Sequence, residues 1–120
     1  FEIVPTKRDF SVIIDFAHTP NELENLLTLI DEFAQGRKVV VFGAGGNRDK
    51  TKRPIMGEVV ANHCDLPIVT SDNPRDEDPE KIIDDVIVGV KKVTDNYIKI
   101  IDRREAIKDA DFVTTQFRVT

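Results

Sequence analysis

The sequence predicts an α/β fold, a mostly parallel sheet with helices on both faces. Three observations carry that expectation. Short β-branched runs alternate with amphipathic segments along the 120 residues. The amphipathic segments open on helix-capping signals, and the connections between elements are short. Such an alternation favours right-handed crossovers between parallel strands, the Rossmann-like arrangement. The length accommodates one domain, residues 1–120, with an ordinary hydrophobic core.

Ser11-Val12-Ile13-Ile14 is an apolar run suited to a central strand. Thr19-Pro20-Asn21-Glu22 then signals a helix start: Thr19 as N-cap, Pro20 at the first helical position and Glu22 closing a capping box. Leu23, Leu26, Leu27, Ile30, Phe33 and Ala34 follow at helical spacing, and Gly36 can end the helix in a left-handed conformation. Lys38 to Phe42 reads as a second buried strand. Pro54 is expected to open the next helix, with Met56, Val59 and Val60 as its apolar stripe. Leu66 to Thr70 reads as a third strand with Pro67 near its start, because proline cannot donate to a ladder. Asp78-Pro79-Glu80 caps a helix carrying Ile82, Ile83, Val86, Ile87 and Val90, with Lys91 and Lys92 in its last turn. Tyr97 to Ile101 is a fourth strand, and Asp102 to Glu105 forms a capping box for a short helix through Ala110. Phe112, Val113, Phe117 and Val119 suggest a further strand near the end.

A composition of 40% hydrophobic and 32% charged residues is that of a soluble globular chain, and no apolar run reaches the ~18–20 residues of a membrane span. A formal net charge of −5 argues against a nucleic-acid-coating protein. The single cysteine, Cys64, excludes an internal disulfide, offers no metal-site spacing and sits among apolar neighbours. The first residues lack the layout of a signal peptide, so a cytoplasmic setting is expected.

The strand-like runs end in polar clusters: Asp15 to His18, Gly43 to Arg48, Asp72 to Arg75 and Asp102 to Arg104. A parallel sheet would bring all of them to the edge outside the carboxyl ends of its strands, where α/β folds bind ligands. In the loop from Gly43 to Pro54, glycines let backbone amides approach an anion while Arg48, Lys50, Lys52 and Arg53 add positive charge. It is neither a Walker A loop nor a dinucleotide fingerprint. Asp49 precedes Lys50-Thr51 where a glycine would stand, and the third spaced glycine is missing. The alternative is a solvated basic loop. Asp72 and Asn73 offer acceptors and amide donors, Pro74 stiffens the loop, and Arg75 presents a planar fork able to bind a carboxylate through two parallel hydrogen bonds. The alternative there is a plain turn with Arg75 paired to Asp76, Glu77 or Asp78. Asp15 could take ribose hydroxyls and His18 lie against a base or phosphates; alternatively Asp15 satisfies loop amides and His18 packs locally. His63 falls away from this edge. Asp102-Arg103-Arg104 is assigned no chemistry, its arginines being solvated or paired with Glu105.

Together these motifs resemble the carboxy-terminal domain of the Mur ligases, above all the tripeptide-synthetase (MurE) branch. Asp15-Phe16-Ala17-His18-Thr19-Pro20 is similar to that branch's D-Y-A-H-T-P, with Phe16 in place of tyrosine. Phe42 to Lys50 with Lys52-Arg53-Pro54 resembles F-G-x-G-G-x-R-D-x-x-K-R-P, and Asp72-Asn73-Pro74-Arg75 is the D-N-P-R amino-acid motif. The resemblance covers Phe1 to about Ala110 and implies an ATP-dependent, ADP-forming amide ligase of peptidoglycan precursor synthesis. Such a ligase joins an amino acid to UDP-N-acetylmuramoyl-L-alanyl-D-glutamate through an acyl phosphate, with magnesium.

By the same resemblance, Asp72, Asn73, Pro74 and Arg75, with Arg48, hold the amino acid, and arginine in the last position points to meso-diaminopimelate. Asp15, His18 and Asn47 would face the nucleotide. ATP and magnesium would be held mainly by a central ATPase domain, this chain's partner in a larger enzyme, leaving no catalytic residue or metal ligand here and no turnover by the chain alone. No nucleic-acid or membrane partner is implied. The family's G-K-G-H-E motif is missing from Asp111 to Thr120. A lysine-adding ligase and a non-catalytic small-molecule-binding module of the same fold are the alternatives.

Overall fold

A computed structural model describes residues 2–4, 12–15, 17–33, 36–109 and 115–116. The first helix, α1 (Pro20–Phe33), forms where its capping residues predict. The Glu22 amide donates to Thr19 Oγ1 at 3.2 Å, and the Thr19 hydroxyl donates to Glu22 Oε1 at 3.1 Å. Leu23, Leu26, Leu27 and Ile30 form one buried face; each such side chain contributes about 1.5–3 kcal/mol when fully buried. The described part of the helix runs to Phe33, and no described glycine has a positive φ, so Gly36 is not the left-handed terminator expected of it. Ala34 lies outside the described residues.

Among the described residues the main sheet holds β3 (Val39–Phe42), β4 (Leu66–Val69), β5 (Ile98–Lys99) and β6 (Thr115–Gln116), all parallel, in the order β5-β4-β3-β6. Pro67 stands at the second position of β4 opposite Val40, where its missing donor removes at most one ladder bond. β5 is shorter than the run from Tyr97 to Ile101 suggested. β6 falls inside the predicted terminal strand, whose Phe112, Val113, Phe117 and Val119 lie outside the described residues. The amino-terminal part departs from expectation. β1 (Glu2–Val4) pairs antiparallel with β2 (Val12–Ile14), Ile3 opposite Ile13, instead of β2 joining the parallel sheet through assigned bonds. β2 runs beside β6.

Side chains alternate across β3 as a strand requires. Val40 and Phe42 pack with α1, α2 (Lys52–His63) and α3 (Pro79–Val90), whereas Val39 and Val41 join Ile68 and Ala106 of α4 (Arg103–Asp109). Helices therefore cover both faces, as predicted, but unevenly. The chain moves from β3 through α2, β4 and α3 to β5, then returns by α4 along the other face to β6 beside β3. That reversal at β3 makes the crevice beyond its carboxyl end the natural ligand position.

The helix α2 starts at Lys52, two residues before Pro54. Pro54 is tolerated there because the amides of a first turn have no intrahelical acceptor. Two glycines let α2 and α3 meet backbone to backbone: a Cβ on Gly57 would stand 2.1 Å from the Val86 carbonyl oxygen, and one on Gly89 1.7 Å from that of Pro54. Asp78 caps α3 by accepting from the Glu80 amide at 3.0 Å, with Pro79 following as predicted. Lys91 is the C-cap residue, so Lys91 and Lys92 lie just past the last turn. At the start of α4, Asp102 Oδ1 accepts from the Arg104 amide at 2.8 Å.

Candidate functional site

The loops after β3 and β4 lie directly on one another. A Cβ on Gly43 would come within 2.3 Å of the Thr70 carbonyl oxygen, and one on Gly46 within 1.8 Å of that of Pro74. Glycine is therefore required by the closeness of two backbones. The Gly46 amide donates to the Asn73 carbonyl at 2.7 Å, and Arg75 Nη1 donates to the Gly46 carbonyl at 2.7 Å. The left-handed conformation falls on Asn47 (φ 56°) and Arg75 (φ 50°), at a cost on the order of 1 kcal/mol each. Both are held in place: the Asn47 amide donates to Glu77 Oε2 at 2.5 Å and its Nδ2 to Asp76 Oδ2 at 2.9 Å, while the Arg75 amide donates to Asn73 Oδ1 at 3.3 Å.

This network corrects one alternative from the sequence. Arg75 does not pair with its neighbouring acids, because each is engaged elsewhere: Asp76 with Asn47, Glu77 with Arg53, and Asp78 in the cap of α3. Arg75 instead anchors one prong on a carbonyl and remains exposed, its other donors without partners among the described residues. Arg48, two residues beyond Gly46, is exposed and likewise has no ion-pair partner among the described residues. Asn47, expected to face a nucleotide, turns its side chain to the neighbouring loop instead.

Beneath the loops sits Arg53, only 2% exposed. Its Nη1 donates to Glu77 Oε1 and to Asp85 Oδ2, each at 3.1 Å; its Nη2 donates to Glu77 Oε2 at 2.6 Å and to the Gly45 carbonyl at 3.4 Å. The Arg53 fork, with the Asn47 amide, holds the Glu77 carboxyl down at about 2. Asp72 is buried and accepts from Arg103 Nη1 at 3.3 Å. Arg103 is thus neither merely solvated nor paired with Glu105, and its segment belongs to the site's framework. The Ser71 amide and the Thr70 hydroxyl both donate to the Ile101 carbonyl, at 3.3 and 3.2 Å, tying the β5 end to the β4 end.

On the β2 side, a cavity of about 280 Å³ opens between the start of α1 and the glycine loop, lined by His18, Thr19, Gly45, Arg48, Asp49 and Lys52 among others. Asp15 accepts from the Ala17 amide at 2.9 Å, and His18 Nδ1 lies 3.5 Å from Glu22 Oε2. Asp49 accepts from the Thr51 hydroxyl at 2.6 Å and its amide at 3.0 Å; these bonds, the hydroxyl first, lower its carboxyl below the usual range. The structure thus gathers Arg48 and His18 around one cavity, while Asn73, Pro74 and Arg75 line up along the other flank of the same loop.

Two side chains lie outside this edge. His63 bridges α2 to α1, its Nδ1 2.7 Å from Asp31 and its Nε2 3.1 Å from Glu24. Burial pushes the Cys64 thiol up to about 12, which removes it as a nucleophile. The sequence counts Arg53 only among the loop's positive charges, offers Glu77 only as an alternative partner of Arg75, and assigns Arg103 no chemistry; the structure makes all three part of the site's framework. A signal for Arg53 was present: it shares one helical stripe with Met56 and Val60, so a charge there had to be buried and paired.

Comparisons with known proteins agree with this architecture. A family model described as the Mur ligase, glutamate ligase domain, matches residues 1–115. A UDP-N-acetylmuramoyl-L-alanyl-D-glutamate–2,6-diaminopimelate ligase from Caldanaerobacter subterraneus is 54% identical over 110 residues, covering 92% of this chain and 23% of that protein. The ligase of the same name from Aquifex aeolicus is 52% identical over 110 residues, with 92% and 22% covered. Among solved structures, a ligase of that name superimposes with a TM-score of 0.83 at 33% identity, over 98% of this chain and 25% of the other. A folylpolyglutamate synthase from Thermotoga maritima gives a TM-score of 0.71 at 25% identity, over 98% and 26%. The chain thus spans about a quarter of the length of the relatives it matches. It belongs to the family of the Mur ligase glutamate ligase domain.

Proposed function

We propose that this chain is the amino-acid-presenting domain of an ATP-dependent, ADP-forming ligase that adds meso-diaminopimelate to UDP-N-acetylmuramoyl-L-alanyl-D-glutamate. The observation that carries the reading is the state of Arg75: one prong is fixed on the Gly46 carbonyl and the others are open to solvent beside the loop of Arg48. Diaminopimelate differs from lysine by a carboxylate on its far end. A pre-oriented guanidinium grips that group in a way an ammonium does not reproduce. The names of relatives above half identity support the same choice.

In this account Asp72, Asn73, Pro74 and Arg75 with Arg48 hold the amino acid, and Asp15 and His18 face the nucleotide across the cavity that Arg48 shares. ATP supplies the phosphoryl group that activates the D-glutamate carboxyl. By the same resemblance, magnesium is assigned to the central ATPase domain. The contribution of this chain is positioning: it aims the amine at the activated carboxyl and neutralises the far carboxylate, with no covalent step on its own side chains. The ligase so described works in the cytoplasm.

The test is ADP release by the full-length ligase supplied with ATP, the UDP-linked dipeptide and either amino acid. Diaminopimelate should sustain turnover, lysine should be a poor substitute, and the 120-residue chain alone should release no ADP. Ligation by the isolated chain, or a preference for lysine, would overturn the proposal.

A further inference from the structure

A buried arginine in an apolar helix stripe needs an explanation. Replacing a buried ion pair by well-packed apolar residues is often neutral or stabilising, so stability alone does not account for Arg53. Its geometry does. Nη2 reaches the Gly45 carbonyl directly, and both prongs grip Glu77, whose Oε2 accepts the Asn47 amide. Arg53 therefore holds the glycine loop on either side of Gly46, at residue 45 itself and at residue 47 through Glu77. Gly46, fixed between these points, carries the bonds to Asn73 and Arg75. Residue 47 in turn aims Arg48, and Glu77 follows Arg75 by two positions. One guanidinium thus sets the relative placement of both loops.

We propose that Arg53, acting through Glu77, is the positioning residue of the amino-acid pocket, holding the Arg48 loop and the Arg75 loop in register. The proposal rests on the ligase reading above and adds residues for which that reading has no role. A fork is needed because two carboxylate oxygens and a carbonyl are bound from one plane; lysine offers a charge without that geometry. Asp85, 3.1 Å from Nη1, completes the charge balance beneath the loops.

The experiment uses the full-length ligase with Arg53→Met, Arg53→Lys and Glu77→Gln. The positioning role predicts that Glu77→Gln and Arg53→Met raise KM for diaminopimelate at least tenfold while KM for ATP and for the UDP-linked dipeptide stays within twofold. Arg53→Lys should fall between them and the wild type. A KM for diaminopimelate within twofold of wild type, or an equal rise for all substrates, would overturn it. Should Arg53→Met fail to fold, the Glu77 variant, at a side chain 19% exposed, decides. Amide hydrogen exchange gives a readout independent of activity: exchange at Asn47 should speed up at least tenfold in Glu77→Gln, and unchanged exchange would refute the staple. A wild-type enzyme that ignores diaminopimelate would sink the ligase reading, and the exchange rates would then decide the staple by themselves.

Discussion

Substituting Gly46 by alanine probes the junction of the two loops most sharply. The added Cβ would stand 1.8 Å from the Pro74 carbonyl oxygen and 2.4 Å from its carbon, both backbone atoms that no rotamer change can move aside. Ordinary contact begins at 3.4 Å, so the loops must part by about 1.6 Å. A shift of that size carries the Gly46–Asn73 and Arg75–Gly46 bonds, both 2.7 Å, beyond hydrogen-bonding distance. The first is a neutral bond of about 1 kcal/mol; the second involves a charge but is partly exposed, which leaves about 1–2 kcal/mol. The sum, about 2–3 kcal/mol, is lost from the pre-arranged pocket and not from the core, because surface loops can relax outward. At 1.4 kcal/mol per factor of ten, kcat/KM for diaminopimelate should fall roughly 30- to 150-fold in the full-length ligase. The urea midpoint should move little. Retention of kcat/KM within threefold would show that the two loops need not touch for the amino acid to bind.

Two further predictions concern stability. Gly89→Ala places a Cβ 1.7 Å from the Pro54 carbonyl oxygen, inside the α2–α3 contact where neither backbone can relax freely. Overpacking of this kind should cost about 3 kcal/mol, at the upper end of the usual range, and lower the urea midpoint with an unchanged m-value; an unmoved midpoint would refute the close helix approach. Glu77, whose carboxyl is held at about 2 against an ordinary 4.5, contributes stability that is fully present above pH 4.5 and disappears as pH falls towards 2. The difference in urea midpoint between wild type and Glu77→Gln should therefore be largest near neutrality and close over that acid window. A difference independent of pH would remove the Arg53–Glu77 bond from the account.

What could be read from the sequence was chiefly local. The Thr19–Glu22 box, the Asp78–Pro79 cap and the leucine stripe of α1 depend on residues within one or two turns, and each formed as expected. The β1–β2 ribbon escaped because antiparallel pairing joins segments whose partnership no local period announces. The start of α2 slipped by two residues because Pro54 is compatible with any first-turn position. Gly36 looked like a helix terminator, yet among the described residues the left-handed ones are Asn47, held by Glu77 and Asp76, and Arg75, held by Asn73. The segment after β2 reaches the shared cavity from an antiparallel ribbon, whereas proximity of the loops after β3 and β4 followed from parallel topology. What lay beneath them did not: the Arg53–Glu77 fork and the Arg103–Asp72 pair join positions 24 and 31 residues apart, a relation visible only once the strands are stacked.

Arg75 is the residue given the second carboxylate to read, and the direct measurement is the ratio of kcat/KM for meso-diaminopimelate over lysine in the full-length ligase and in Arg75→Ala. Truncating one partner of a hydrogen-bonded charge pair costs about 2–5 kcal/mol. The exposure of Arg75 argues for the lower end, so the ratio should collapse by roughly 30- to 150-fold, through loss of diaminopimelate activity with lysine activity little changed. A ratio that survives the substitution, or falls only because both amino acids suffer alike, would contradict the role given to this guanidinium.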